Sequence, residues 1–205
     1  MTRLQRLVPL VLLALTLAAC GGAGGSSGPT YTLALPSGTF DASKIEVCDL
    51  LSENEFSGAV NATVQKQLPA TLNDKGTARI CVFKGQTVTG VDGKPVTNGG
   101  FVGLTVQPQT LDQFNAVYGQ PLLPGCVVNP VILSQFQTSA QGAFTQLCPQ
   151  AATTGDIGVW VNGLTLLVEV SSGTGTSTTL LPAAQNLAIL ALQQALTNAG
   201  LSPTP

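Results

Sequence analysis

The sequence predicts an α+β domain: an antiparallel sheet with helices packed on it in a two- or three-layer sandwich, stapled by two disulfides. Three observations carry that expectation. Alternating apolar stretches are joined by hairpin signals rather than by repeated strand-helix-strand units, and amphipathic stretches with helical spacing occur near both ends of the chain. Four cysteines, Cys48, Cys81, Cys126 and Cys148, form an even set downstream of an export signal. The helices are expected on one face of the sheet, or on both if the segment 131–146 covers the second.

The chain begins Met1-Thr2-Arg3-Leu4-Gln5-Arg6 and continues with an apolar run of 13 residues, Leu7 to Ala19. A spanning helix needs roughly 20 such residues. A basic start, a short apolar run and the small-residue ending Leu17-Ala18-Ala19-Cys20 form a secretory signal that closes in a lipobox. Residues 1–19 are therefore expected to be cleaved and Cys20 to be lipidated. A diacylglycerol on that thiol and an acyl chain on the amine anchor better than one myristoyl chain, because each buried methylene adds about 0.8 kcal/mol. The expected location is the extracytoplasmic side of a cell membrane. Residues 20–30, the cysteine and Gly-Gly-Ala-Gly-Gly-Ser-Ser-Gly-Pro-Thr, read as a flexible linker. Residues 31–205 read as a single globular domain.

Tyr31 to Leu35 alternates weakly and is expected as an edge strand between Pro29 and Pro36. From Cys48 to Gln67, Leu50, Leu51, Phe56, Val60 and Val64 recur at helical spacing, and Ser52-x-x-Glu55 has the form of a capping box. That spacing predicts the first helix, with Asp49 or Ser52 as its N-cap. Ala78 to Lys84 reads as a strand carrying Cys81, Asp92-Gly93 as a hairpin turn and Phe101 to Gln107 as the next strand. Thr110-Leu111-Asp112-Gln113-Phe114 opens a short helix through about Tyr118, with Thr110 as cap and Asp112 near the positive end of the dipole.

Pro121, Pro124 and Pro130 interrupt the stretch 119–155, in which Val131 to Gln146 is compatible with a helix stapled at its flanks by Cys126 and Cys148. Asp156 to Val161 and Leu164 to Ser171 form a hairpin about Asn162-Gly163, followed by a Gly/Thr/Ser loop from Ser171 to Thr179. Pro182 to Ala199 closes the domain as a helix, with a proline near its start and Gly200 just past its end. Leu187, Leu190, Ala191 and Leu196 lie toward one side and Ile189 and Leu192 widen the stripe, so this helix belongs across a sheet.

Charge and composition exclude several functions. The chain holds 8 basic and 10 acidic residues, and only 9% of it is charged, against roughly 25% in typical soluble domains. Loss of Arg3 and Arg6 with the signal makes the body more acidic, which does not suit nucleic acid. The absence of histidine rules out Ser-His-Asp and Cys-His nucleophiles and the H-E-x-x-H zinc helix. The glycine-rich tracts 21–28 and 172–175 lack phosphate-loop spacing, so no nucleotide is expected. Neither a cofactor nor catalysis is expected. Four cysteines allow three connectivities. Bridges between sequence neighbours, Cys48–Cys81 and Cys126–Cys148, close modest loops and are favoured, each contributing about 2–4 kcal/mol. No pair has C-x-x-C spacing, and zinc is not expected.

Among the site candidates, Asp156 and Glu169 flank the Asn162-Gly163 hairpin and fall almost opposite each other in a register centred on it. Paired carboxylates can share a proton or hold a calcium, although the plainer reading is a solvated strand face. Glu53 and Glu55 point to different sides of a helix start, as capping residues do. Asp74, Asp92 and Asp112 read as turn and cap residues. Trp160 alternates away from Val159 and Val161 and belongs either to the core or to the lip of an apolar pocket, with Phe83 and Phe101 as further aromatic candidates for ligand contact. Phe83, Phe101, Phe114, Phe136 and Phe144 nevertheless all read as core first.

Cys48-Asp49-Leu50-Leu51-Ser52-x-x-Glu55-Phe56 resembles the C-x-L-L-T-x-x-E helix start of a large actinobacterial family of cell-envelope lipoproteins of unknown function. Further matches follow in the family's order: a strand with the second cysteine at Cys81, Gly155-Asp156 before a strand, the hairpin Val159 to Val170 and an Ala/Leu-rich final helix. They are scattered over roughly residues 40–200. Where the family often has a tryptophan after the second cysteine, this chain has Val82-Phe83, and Cys126 and Cys148 are additions. The resemblance implies a lipobox-anchored sandwich of antiparallel strands with its first disulfide between Cys48 and Cys81, and it brings no catalytic residues. The expected function is an exported, lipid-anchored binding module that holds an apolar or amphipathic ligand such as a lipid or glycolipid, or docks on an envelope protein. The alternatives are a carboxylate enzyme acting on envelope glycans through Asp156 and Glu169, and a purely structural lipoprotein.

Overall fold

The computed structural model describes residues 41–67, 69–71, 78–133 and 142–199. The signal and lipobox with Cys20, the linker, the Tyr31–Leu35 strand, Asp74, Phe136 and Gly200 lie outside the described residues. Eight antiparallel strands are described: β1 Val64–Lys66, β2 Ala70–Thr71, β3 Ala78–Thr89, β4 Pro95–Thr105, β5 Val127–Pro130, β6 Gly142–Leu147, β7 Thr154–Val161 and β8 Leu164–Ser171. They form one sheet in the order β1-β3-β4-β8-β7-β6-β5, and β2 pairs with β3 on the same edge as β1. With α1 Glu53–Val60, α2 Leu111–Tyr118 and α3 Ser177–Asn198, the domain is α+β. Two disulfides, Cys48–Cys81 and Cys126–Cys148, cross-link it.

Strand alternation gives the sheet two different faces. Cys81 and Phe83 of β3, Val102 and Leu104 of β4, Leu166, Val168 and Val170 of β8, and Ile157, Val159 and Val161 of β7 share one face. All join the main core with Phe56 and Val60 of α1 and Leu187, Ala188, Ala191 and Leu192 of α3. Close approach of α3 depends on Gly155, where a Cβ would lie 2.7 Å from the main chain at Leu180. The second face is covered in part by α2.

Three elements differ from expectation. The first helix is short, because Ser52 caps it and Asn61 adopts a left-handed conformation at φ 51° that ends it. Val64 therefore belongs to β1, and Cys48 to a 3-10 turn, Val47–Asp49. Gly142 to Leu147, which includes the end of the stretch 131–146 read as compatible with a helix, is strand β6; residues 134–141 lie outside the described residues. Val127 pairs with Leu147 at the end of the β5–β6 ladder, and the Cys126–Cys148 bridge sits one position beyond that pair. The last helix begins at Ser177 rather than at Pro182. Its start is set by Thr176, whose N–H donates to the Thr179 hydroxyl at 2.8 Å and whose carbonyl accepts from Leu180 at 2.9 Å. Pro182 leaves the Thr178 carbonyl without its helical donor, on an exposed turn.

The β7–β8 hairpin turns at Asn162 and Gly163, with φ 47° and 89°, as a type I′ turn requires. That turn fixes the register which places the candidate residues.

Candidate functional site

The ladder sets one transverse row on the second face: Val82, Phe101, Glu169, Asp156, Gln146 and Val128, each the direct partner of the next. Asp156 and Glu169 therefore face each other across adjacent strands, where side chains start about 4.5–5.5 Å apart. They are also the last two charged residues of the sequence, since none follows Glu169 and none lies between Asp112 and Asp156.

Above this row lies α2. Its start carries the expected cap, with the Thr110 hydroxyl accepting from Gln113 N at 3.1 Å and the Gln113 side chain accepting from Thr110 N at 2.9 Å. The helix lays Phe114 and Tyr118 over the sheet, with the Phe114 ring 4.9 Å from Tyr118 and 5.9 Å from Phe144. Gly158 makes room beneath it: a Cβ there would meet the Tyr118 ring at 3.3 Å.

Between α2 and the row is a cleft of about 100 Å³, walled by Phe101, Tyr118, Leu122, Phe144 and Leu167 over Asp156 and Glu169. Asp156 Oδ1 accepts from Gln146 N at 3.1 Å. The buried Gln146 side chain accepts from Leu122 N at 3.0 Å and donates to the Gln120 carbonyl at 3.2 Å, fixing the connection that closes one end. Burial pushes the Asp156 carboxyl up, against the opposing effect of the Gln146 N–H. Glu169 is raised by burial and further by the Asp156 charge, and burial raises the Tyr118 phenol. Among the described residues the ion pairs are Lys44–Asp41, Arg79–Glu46 and Lys94–Asp92, and none reaches this pair.

A pH dependence follows. Folding raises both carboxyls, so the native chain holds these protons more tightly than the unfolded chain does. Their contribution to stability is most favourable below the ordinary values of 3.8 and 4.5 and declines as pH rises through the raised values. Glu169→Gln and Asp156→Asn are expected to flatten that decline in urea midpoints measured between pH 4 and pH 8; a profile unchanged by both substitutions would contradict the assignment.

The aromatic candidates are not brought together. Phe101 lines the cleft. Trp160 lies on the same face but four residues along β7 from Asp156, 8% exposed, with its Nε1 donating to the Gln109 carbonyl at 2.7 Å. Thr165 donates to the Gln109 side chain at 2.7 Å, so these two residues clamp the connection into α2. Phe83 is core, as its first reading has it, and not a ligand contact: it is 1% exposed on the opposite face and stacks on Phe56 at 4.2 Å. The parity of β3 explains this, because Val82 rather than Phe83 pairs with Phe101. Glu55 completes the Ser52 capping box, and Glu53 accepts from Lys66 N at 2.7 Å. Sequence reasoning missed Tyr118, Leu122, Gln146 and Leu167 and read Phe144 as core; the spacing Phe114-x-x-x-Tyr118 was the one available signal for a shared helix face.

Among the described residues no group of three or more acidic, cysteine or histidine side chains gathers, so the pair alone would supply too few ligands for calcium. No described helix is long and apolar enough to cross a membrane. Set beside known proteins, the chain matches no protein-family model, no curated protein and no solved structure. Fold and cleft together define a disulfide-bonded α+β domain with a small apolar cleft over paired carboxyls.

Proposed function

We propose that this chain is an exported, lipid-anchored binding module of a bacterial cell envelope, held through Cys20 and its linker, that receives one end of an apolar or amphipathic ligand in the cleft under α2 and does no chemistry on it. The observation that carries the reading is the cleft itself, with hydrocarbon and aromatic walls on the sheet face away from the main core. The lipobox, the lack of histidine and the family resemblance support it. The volume argues against glycan hydrolysis: about 100 Å³ is less than the roughly 150 Å³ that holds one benzene, and a glycosidase must seat sugars on both sides of its carboxyl pair. Docking of an envelope protein is a second reading, favoured by the exposed Val117 and Leu122 beside the cleft.

Native mass spectrometry on the full-length gene product, purified from the parent cell's membrane fraction, tests both parts. The expected result is a mature chain beginning at a diacylated Cys20 with a discrete amphipathic molecule bound, and Cys20→Ser is expected to abolish the lipid mass. An unlipidated chain with no bound molecule overturns the reading.

A further inference from the structure

The connection between α2 and β5, together with Val127 that follows it, groups three of the seven large apolar side chains that stand exposed among the described residues. Residues 121–125, Pro-Leu-Leu-Pro-Gly, are all exposed, with Leu122 at 55% and Leu123 at 50%, and Val127 just beyond them at 56%. The outer side of α3 is mixed, with threonine, asparagine and glutamine beside Leu190 at 38%. From Gln113 to Gly155 no side chain is charged. The knuckle is also held in shape from within. Gln146 takes the Leu122 N–H and the Gln120 carbonyl, Gln150 donates to the Pro124 carbonyl at 3.0 Å, and Cys126 N donates to the Leu123 carbonyl at 3.1 Å. Pro121 and Pro124 have no N–H to satisfy. The Cys126–Cys148 bridge closes the base.

We propose that this knuckle, Pro121 to Pro124 with Val127, is a bilayer-contacting surface, through which the domain rests on the membrane that bears its anchor. The inference builds on the lipid-anchored reading above. Pairing of the Leu122 N–H and of the Leu123 and Pro124 carbonyls within the domain suits a segment that leaves water, because an unpaired N–H or C=O in an apolar medium is costly. The absence of charge removes the largest penalty for approaching lipid. The sequence reading gives a linker of eleven residues, 20–30, and a Gly/Ser-rich linker of that length has an end-to-end distance of about 18 Å. The domain therefore stays within about one domain width of the bilayer, where a weak apolar contact is saturated by proximity. Leu122 also lines the cleft, so contact through the knuckle turns the cleft mouth toward the lipid.

The test uses the full lipidated chain in phosphatidylcholine vesicles containing a dibrominated phosphatidylcholine as quencher. Leu123→Trp places a reporter on the knuckle, and Leu190→Trp places one on α3, on the opposite layer and 38% exposed; the unsubstituted chain gives the Trp160 background. Expected is quenching of the Leu123→Trp reporter at least threefold greater than that of the Leu190→Trp reporter, returning to the level of the latter when Leu122→Glu is added. Equal quenching, or none in a chain that floats with the vesicles, overturns the proposal and leaves the anchor intact. A chain that fails to float overturns the anchored reading instead. A doubled mass in neutral detergent that Leu122→Glu returns to that of one chain assigns the knuckle to a second copy and also overturns the proposal.

Discussion

Replacing Cys48 and Cys81 together by alanine is expected to lower the stability of the domain by about 2–5 kcal/mol. The bridge spans 33 residues of sequence and joins a 3-10 turn to β3, the second strand from one edge of the sheet. The segment 41–52 that it holds buries Ala42, Ile45, Val47, Leu50 and Leu51 in the main core. Yet its own secondary structure amounts to two 3-10 turns, which have few backbone bonds. Besides the bridge, its fastening to the sheet is Arg79, whose guanidinium donates to the carbonyls of Ala42 at 2.8 Å and Ile45 at 2.6 Å, and the Lys66 ammonium on the Cys48 carbonyl. Without the disulfide this lid over the core opens first. Urea unfolding followed by circular dichroism measures the loss, and a difference under about 1 kcal/mol would show that packing alone holds the segment. Removing Cys126 and Cys148 is expected to cost less, since that bridge closes a shorter loop of 22 residues at the sheet edge.

Phe83→Ala is expected to cost about 3–5 kcal/mol, the usual range for deleting a buried aromatic ring, while leaving ligand retention untouched in the folded fraction. Phe83 stacks on Phe56 with an interplanar angle of 11°, and the Lys66 ammonium lies 5.8 Å from its ring centre, so its loss opens the contact between α1 and β3. Phe101→Ala, on the partly open face, is expected to cost less stability and to lower ligand occupancy in native mass spectra. If Phe83→Ala instead released ligand from a chain of normal stability, the division of the two faces into core and cleft would be wrong.

What could be read from the sequence depended on how close in the chain the interacting residues lie. Both capping boxes, Ser52 with Glu55 and Thr110 with Gln113, are contained within one helical turn, and the Asn162-Gly163 hairpin is set by two residues whose φ is positive. That hairpin carried the acidic half of the site with it, because a two-residue turn dictates which residues face each other. The end of α1 was less legible, since Val64 continues the spacing of Val60 and only the conformation of Asn61 breaks it. Strand β6 was hidden because its partners come from elsewhere: β5 before it and β7 after it provide the pairing. The apolar walls of the cleft failed for the same reason, as Tyr118, Leu122, Phe144 and Leu167 come from four separate segments. Phe83 and Phe101 could not be sorted between the faces until the register of β3 against β4 was known.

The strand order also governs how the chain reaches its native state. A hairpin completes itself locally, but β4 finds its second neighbour in β8, with Gly100 opposite Val170 and Leu104 opposite Leu166, and the layer that seals the core, α3, comes later still. A chain folding from its N-terminus carries the β3–β4 hairpin with one long edge unpaired and an apolar face uncovered until almost all of it is available. Long-range pairing of this kind folds slowly and exposes aggregation-prone edges meanwhile. The molecule is therefore committed late: loss of its last helix would uncover the core face of β7 and β8, against which α3 packs, and would not leave a smaller stable domain.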